Sequence, residues 1–370
     1  MKENMCDTRV LLLASGDLWA GAEAVVYQLI CGLKNFDGLD VLGVFLNDGR
    51  LAELCRNIGV NTHVIDENMK SFPFILCEFI KIVRSYRPDV IHSHRRKENV
   101  LAALARPASK NCRLVSTLHG LSEGNSSLRS RILELVNVFF ITLFFHKVVA
   151  VSRDVSNYLG KTPLLSKGKI HTIHNGIQLP ERKSQSQRSD GLFAVGSAGR
   201  LFPIKDYLFM VSVADEVCRA RPNTRFVLAG DGPEREKIKE SIRACKLEER
   251  FVLLGNVVEM DRFYDSLDIY LNTSLHEGIP MTVLEAMAHA RPVVAPAVGG
   301  LMEIITPGED GYLVSGRSEK DFAQHIISLI DQPQNLSRVG ENARDKIDRM
   351  FTASHMVDKY ARLYRQVLSA

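Results

Sequence analysis

The 370-residue chain has one tryptophan, and no apolar run approaches the roughly 20 residues that a membrane-spanning helix needs. Cysteine is sparse: seven, at 6, 31, 55, 77, 112, 218 and 245, an odd number with no C-x-x-C spacing. That argues against a disulfide frame or a zinc site and for reduced, mostly buried thiols. No G-x-G-x-x-G is present, so the nicotinamide or flavin dinucleotide fingerprint is missing. Nor is there a G-x-x-x-x-G-K-[ST], because Gly21 is followed by Ala22 and Glu23, which removes the ordinary P-loop kinases and ATPases. There is no D-x-D, and His276–Glu277 begins no H-E-x-x-H. His92 and His94 read as facing opposite sides of a strand, a poor metal pair. No metal and no cofactor are expected. The N-terminus carries only a short apolar stretch running into a glycine loop, a buried strand rather than a signal peptide, so a cytoplasmic location is expected. Charge is also modest. A net +4 is too small to indicate nucleic acid, but residues 1–180 hold +6 and residues 181–370 hold −2. The basic half points to an anionic surface or ligand on the N-terminal side, with uneven surface charge as the plainer reading.

What is abundant is alternation. Apolar runs at Arg9–Ala14, Val41–Leu46, Val90–Ser93, Leu114–Thr117 and Lys147–Val151 read as strands, with helical spacing between them, as in Ala22–Leu33. Strands that are apolar throughout, separated by helices, mean a parallel sheet covered on both faces: a doubly wound α/β domain over residues 1–180. Residues 181–191 are polar and lack periodicity, the expected linker. Alternation restarts at Phe193–Ala198 and continues through Arg225–Ala229, Phe251–Leu254, Ile269–Asn272, Val293–Pro296 and Tyr312–Val314, a second such domain over 192–351. A last helix, residues 352–370, falls beyond that pattern and could return to the first domain. Two doubly wound domains facing across a cleft would place the carboxyl ends of two sets of strands opposite one another, one for a donor and one for an acceptor.

Three segments at strand ends carry chemistry. In Asn272–Ala288, Pro280 sits at a helix start, Glu277 in the loop before it and Glu285 eight positions further on. A helix start offers free N–H groups and partial positive charge. With two carboxylates beside it, the site suits a ligand with hydroxyls at both ends and phosphates between, although a plain helix start with an exposed Glu has the same local pattern. In Gly199–Asp206, Arg200 supplies a planar fork and Lys205 a point charge, a pair suited to a diphosphate. In Ser15–Glu23, Gly16 and Gly21 permit a tight loop that can approach a phosphate. His119 ends another strand, where a neutral imidazole either bonds a sugar hydroxyl or is structural.

In this order the pieces resemble the GT-B retaining glycosyltransferases of family GT4, over nearly the whole chain. The matching stretches are the Gly16–Glu23 loop, Val149–Asp154, His174–Ile177, Gly199–Asp206, Val227–Glu234, Glu277–Ala288, Arg291–Val294 and Gly299–Glu303. The resemblance implies a fold of two Rossmann-like domains and a nucleotide-sugar donor held mainly by the second. By analogy Arg200 and Lys205 hold the diphosphate, and Glu277 bonds the donor sugar. The backbone of Gly278, Ile279, Pro280 and Met281 lines sugar and phosphate, while Glu285 bonds the ribose. Gly21 closes over the diphosphate, His119 touches the transferred sugar or the acceptor, and Arg95 and Asn99 lie on the acceptor side. One departure stands out: where the family has paired glycines, this chain has Ala20–Gly21. The implied reaction is metal-independent transfer of a hexose-type unit with retained configuration, UDP being the expected nucleotide and GDP its rival. Base contacts are expected around Val257–Met260.

For the acceptor, Ile132–Phe145 is greasy for an outer helix of this fold, Arg129 and Arg131 precede it, and Ser71–Arg87 adds an apolar helix with basic residues. Two readings stand: docking on an anionic inner membrane leaflet, where a lipid-linked sugar acceptor would reside, or a helix buried under its neighbours. A cell-surface polysaccharide or glycolipid acceptor is expected. A nucleotide-sugar epimerase on the same fold and a non-catalytic nucleotide-sugar-binding subunit are the alternatives.

Overall fold

The computed structural model describes residues 8–16, 19–120, 128–162, 164–182 and 191–369. Cys6 and residues 183–190, most of the expected linker, lie outside them, as do the side chains of Arg129 and Arg131. The chain divides into two compact units, residues 1–176 with 353–370, and residues 177–352.

The first unit is built on a seven-stranded parallel sheet: β1 (Thr8–Ala14), β2 (Leu39–Phe45), β3 (Asn61–Val64), β4 (Val90–Ser93), β5 (Arg113–Leu118), β6 (Lys147–Ala150) and β7 (Ile170–Thr172), in the order β3-β2-β1-β4-β5-β6-β7. Around it run α1 (Gly21–Lys34), α2 (Arg50–Asn57), α3 (Phe72–Tyr86), α4 (Arg96–Ala105), α5 (Leu128–Phe144) and α6 (Arg153–Gly160). Val10, Leu11, Leu12 and Leu13 are all fully buried, because β1 is central and covered on both faces. The two strands without an apolar signature in the sequence, β3 and β7, are the sheet edges, where one side of the strand has no neighbour and polar residues are tolerated.

The second unit carries a six-stranded parallel sheet of β8 (Phe193–Ala198), β9 (Thr224–Ala229), β10 (Phe251–Gly255), β11 (Ile269–Leu271), β12 (Val293–Pro296) and β13 (Tyr312–Val314), in the order β10-β9-β8-β11-β12-β13. Its helices are α7 (Tyr207–Ala220), α8 (Arg235–Ala244), α9 (Met260–Asp265), α10 (Met281–Ala288), α11 (Leu301–Ile304), α12 (Glu319–Asp331) and α13 (Pro333–Met350). Residues 177–180 pack with this unit rather than the first: Ile177 N donates to Phe351 O at 3.0 Å and Arg344 donates to Pro180 O at 2.7 Å. The terminal helix α14 (Ala353–Ser369) belongs to the first unit, against α1. Gly32 makes room for it, since a Cβ there would collide with Val357.

In each sheet the strand order reverses once, between β1 and β4 and between β8 and β11. Loops leaving two adjacent strands at such a point run in opposite directions and open a crevice at their carboxyl ends. In the second unit the loops that carry Arg200, Lys205 and Glu277 leave from β8 and β11; in the first, Gly16–Glu23 and Arg95 follow β1 and β4, and His119 follows β5.

Candidate functional site

In the second unit, the loop after β8 holds Arg200 and Lys205, and the loop after β11 holds Ser274, Glu277 and Gly278. The two are laced together: Leu275 N donates to Ile204 O at 2.8 Å, and Thr273 Oγ1 to Lys205 O at 2.9 Å. Arg317 anchors the same corner through Asp206 and the Thr273 carbonyl, with its guanidinium 3.9 Å above the Phe209 ring. At the centre Lys205 Nζ and Ser274 Oγ both donate to Glu277 Oε1, each at 2.6 Å. Glu277 is buried, so this pairing offsets the cost of desolvating its charge. Both bonds fall on one carboxylate oxygen, which leaves Oε2 to accept from ligand hydroxyls. Lys205 keeps two of its three N–H donors for another anion.

Arg200 lies in the same loop after β8 as Lys205, with its guanidinium 4.7 Å above the Phe202 ring. Gly278, Ile279, Pro280 and Met281 are buried and lead into α10, where Pro280 is the N-cap with no side-chain cap. The first N–H groups of that helix lack intrahelical partners and face the loop end. Glu285 lies one turn inside α10 and accepts from Tyr264 Oη at 2.6 Å. Burial pushes its carboxyl upward from the ordinary range, the tyrosine bond works the other way, and the charge of Asp261 adds to the rise. Val258, in the stretch expected to meet a base, is exposed between β10 and α9.

Ser274 and a pair of glycines, whose roles the motif reading missed, hold Glu277 in place. Ser274 was legible only as part of a polar loop. The paired glycines 299 and 300 let a second backbone touch the site: Gly300 N donates to Glu277 O at 3.0 Å, and a Cβ on Gly300 would lie 2.7 Å from the Gly278 carbonyl carbon. No side chain larger than hydrogen fits that approach.

In the first unit a cavity of about 460 Å³ opens at the ends of β1, β4 and β5. Its walls include His94, Arg95, Arg96, Lys97, Asn99, His119, Glu134, Asn137 and Tyr158. Its size fits a small polar ligand. Its basic side chains are ion-paired, Arg95 with Glu23, Arg96 with Glu134 at 2.9 Å, and Lys97 with Glu67. Asn99 reaches the wall but is spent on structure. Its Oδ1 accepts from Ser93 at 2.6 Å and Ser116 at 2.8 Å, and its Nδ2 donates to Asn137 at 2.8 Å, tying α5 to β4 and β5. Gly21 is the first residue of α1, and Gly16 is the loop residue in the left-handed region, at φ 77°. Ala20, which replaces a family glycine, is extended at φ −137° and ψ −175°, a conformation that tolerates a methyl group.

His92 and His94 do not face opposite sides. Their rings lie 4.2 Å apart, because residues two apart along a strand share a face. His92 is hydrogen-bonded to Tyr364 at 2.7 Å and to Thr117 at 2.8 Å, and His94 Nδ1 to His119 Nε2 at 3.1 Å. Among the described residues, no three His, Cys, Asp or Glu side chains gather as a metal site. The six described cysteines are all free. Only Cys55 and Cys112 are buried, and burial pushes each of those thiols up to about 12. Cys77 is exposed and the other three are half-buried, so the thiols are less buried than the sequence implies.

α5 is apolar on its outer side. Ile132, Leu133, Leu135, Val136, Phe139 and Leu143 are exposed, Leu135 by 70%, while Asn137 and Ile141 point inward. The helix is therefore not buried under its neighbours. No helix among the described residues is long and apolar enough to cross a membrane.

Two doubly wound units, one presenting cations and a helix start around a buried carboxylate, the other a polar cavity, define the GT-B class of glycosyltransferases. Two protein-family models match: Glycosyltransferase Family 4 over residues 19–180 and Glycosyl transferases group 1 over residues 180–346. The chain belongs to the GT4-type group 1 glycosyltransferases. It is 26% identical over 328 residues to an Escherichia coli UDP-Gal:alpha-D-GlcNAc-diphosphoundecaprenol alpha-1,3-galactosyltransferase, covering 84% of this chain and 81% of that one. It is 27% identical to the amylovoran biosynthesis glycosyltransferase AmsD of Erwinia amylovora, over 88% of this chain and 91% of that one. The fold matches that of Anabaena HepE crystallised with UDP-glucose, with a TM-score of 0.84 at 20% identity, covering 97% of this chain and 99% of that one.

Proposed function

We propose that this glycosyltransferase moves a hexose-type sugar from a nucleotide-diphospho-sugar, UDP before GDP, to a glycolipid or cell-surface polysaccharide acceptor, with retained configuration and without a divalent ion. The observation that carries this reading is the convergence of Lys205 and Ser274 on one oxygen of Glu277, in the two loops that also carry Arg200 and lead into α10. The relatives support it: one is named for a UDP-galactose donor and a diphosphoundecaprenol-linked acceptor, and HepE was crystallised with UDP-glucose.

In this reading Arg200, Lys205 and the α10 amides hold the diphosphate, Glu277 Oε2 accepts from sugar hydroxyls, and Glu285 accepts from the ribose. Gly21 lies over the diphosphate and His119 meets the transferred sugar or the acceptor. The bond from the anomeric carbon to the phosphate oxygen breaks. The acceptor oxygen bonds that carbon from the same face, and its proton passes to the departing phosphate. Catalysis is then positioning plus fixed positive charge that strengthens its grip as negative charge develops on the leaving group. The polar cavity of the first unit receives the acceptor's sugar. The exposed face of α5, whose inner side lines that cavity through Glu134 and Asn137, rests on the cytoplasmic leaflet.

The test is turnover of UDP- and GDP-hexoses with EDTA present. The wild type should release nucleotide, and Glu277→Ala should lose at least about 100-fold with its folding retained. Full activity in that variant, or abolition by EDTA, overturns the reading.

A further inference from the structure

The ends of β4 and β5 bring two imidazoles together. His94 Nδ1 lies 3.1 Å from His119 Nε2, with the rings stacked at 5.4 Å. Burial above all keeps both neutral; the nearby Arg95 charge adds to this, and His119 is pushed down to about 3. A hydrogen bond between two neutral imidazoles needs one N–H and one bare nitrogen, so the tautomer of one ring dictates that of the other. What remains is one nitrogen on each ring, His94 Nε2 and His119 Nδ1; both are buried without a hydrogen-bond partner among the described residues, and both rings line the cavity of the first unit. A buried ring nitrogen without a partner is costly, and a ligand hydroxyl would satisfy it.

His94 is itself held from behind. Its ring packs 4.2 Å from that of His92, which is clamped by Tyr364 of α14 and by Thr117, and Thr117 in turn bonds Tyr360 of α14 at 2.9 Å. The last helix of the chain thus buttresses a ring stack that ends at His119.

We propose that His94 is a positioning residue: it fixes the ring plane and tautomer of His119, so that His119 Nδ1 is the atom offered to a sugar hydroxyl. This rests on the reading above in which His119 meets substrate. A structural His94 could be replaced by any ring of similar volume, whereas a positioning one could not.

Two variants separate these. His94→Phe keeps the ring and removes the nitrogens, and His94→Asn keeps a polar atom near the position of Nδ1. With UDP-hexose and acceptor, His94→Phe should lower kcat roughly 10- to 100-fold while the donor KM stays within about two-fold, and His94→Asn should recover most of the loss. A parallel loss in donor hydrolysis without acceptor places the hydroxyl on the transferred sugar, and a loss in transfer alone places it on the acceptor. Nitrogen-15 spectra of histidine-labelled protein should show one fixed His119 tautomer in the wild type and a mixture in His94→Phe. Wild-type kcat in His94→Phe, an Asn variant as impaired as the Phe variant, or mixed His119 tautomers in the wild type would each overturn the proposal. A wild type that turns over no nucleotide-sugar would instead overturn the functional reading, and the tautomer measurement stands apart from activity.

Discussion

Gly300→Ala is the sharpest test of how the second unit holds Glu277. The added Cβ would fall 2.7 Å from the Gly278 carbonyl carbon, nearer still to its oxygen, and 2.9 Å from Ile279 Cδ1. Real Cβ atoms essentially never approach within 3.0 Å, and the atoms in the way are mostly backbone, so the Gly278–Ile279 peptide has to retreat by about an ångström or more and draws the Glu277 backbone with it. The Gly300 N to Glu277 O bond of 3.0 Å stretches with it, and the carboxylate leaves Lys205 and Ser274. A misplacement of ~1 Å costs about 100-fold in rate, or ~2.7 kcal/mol of transition-state binding. Overpacking costs about 1–3 kcal/mol of stability as well, so a thermal melt must accompany the kinetics. Gly160→Ala is the control, since a Cβ there meets nothing within 4 Å. With UDP-hexose, Gly300→Ala should lose about two orders of magnitude in kcat/KM at a temperature where it remains folded, and Gly160→Ala should be silent. Unchanged kcat/KM in folded Gly300→Ala would refute the claim that this backbone contact positions the Glu277 loop for the proposed reaction.

Two further outcomes follow from the first unit. His92 and His119 are both pushed down to about 3, chiefly by burial, so the folded state favours neutral rings. Their contribution is complete above the unfolded value of about 6.5 and is lost as pH falls from there toward 3. At pH 5 each should cost about 2 kcal/mol relative to pH 7.5, to be read from urea unfolding at the two pH values, and equal stability at both would refute it. Leu135→Ser with Phe139→Ser should weaken co-sedimentation with anionic phosphatidylglycerol vesicles at least about tenfold without changing turnover of a water-soluble acceptor. Undiminished sedimentation would mean that α5 does not meet the membrane.

The alternation of apolar strands with helices was legible because a strand buried on both faces has to be apolar along its whole length, as Val10–Leu13 are. The edge strands β3 and β7 were not, because an edge needs no such composition. Arg200, Lys205 and Glu277 were legible as candidates because parallel strands all end at one side of a sheet, and Gly, Pro and charge cluster where a strand gives way to a loop. Residue pattern alone could thus say that two doubly wound units exist and which strand ends carry charge. It could not say that β8 neighbours β11, that Ser274 and Lys205 share one oxygen of Glu277, that α14 returns to brace His92, or that α5 shows its greasy side to solvent. Apart from the Ser274–Glu277 bond, these features are set by packing between residues tens to hundreds of positions apart. They depend on strand order and packing, which no local periodicity encodes, and the His92–His94–His119 stack came into view only when the sheet set β4 beside β5.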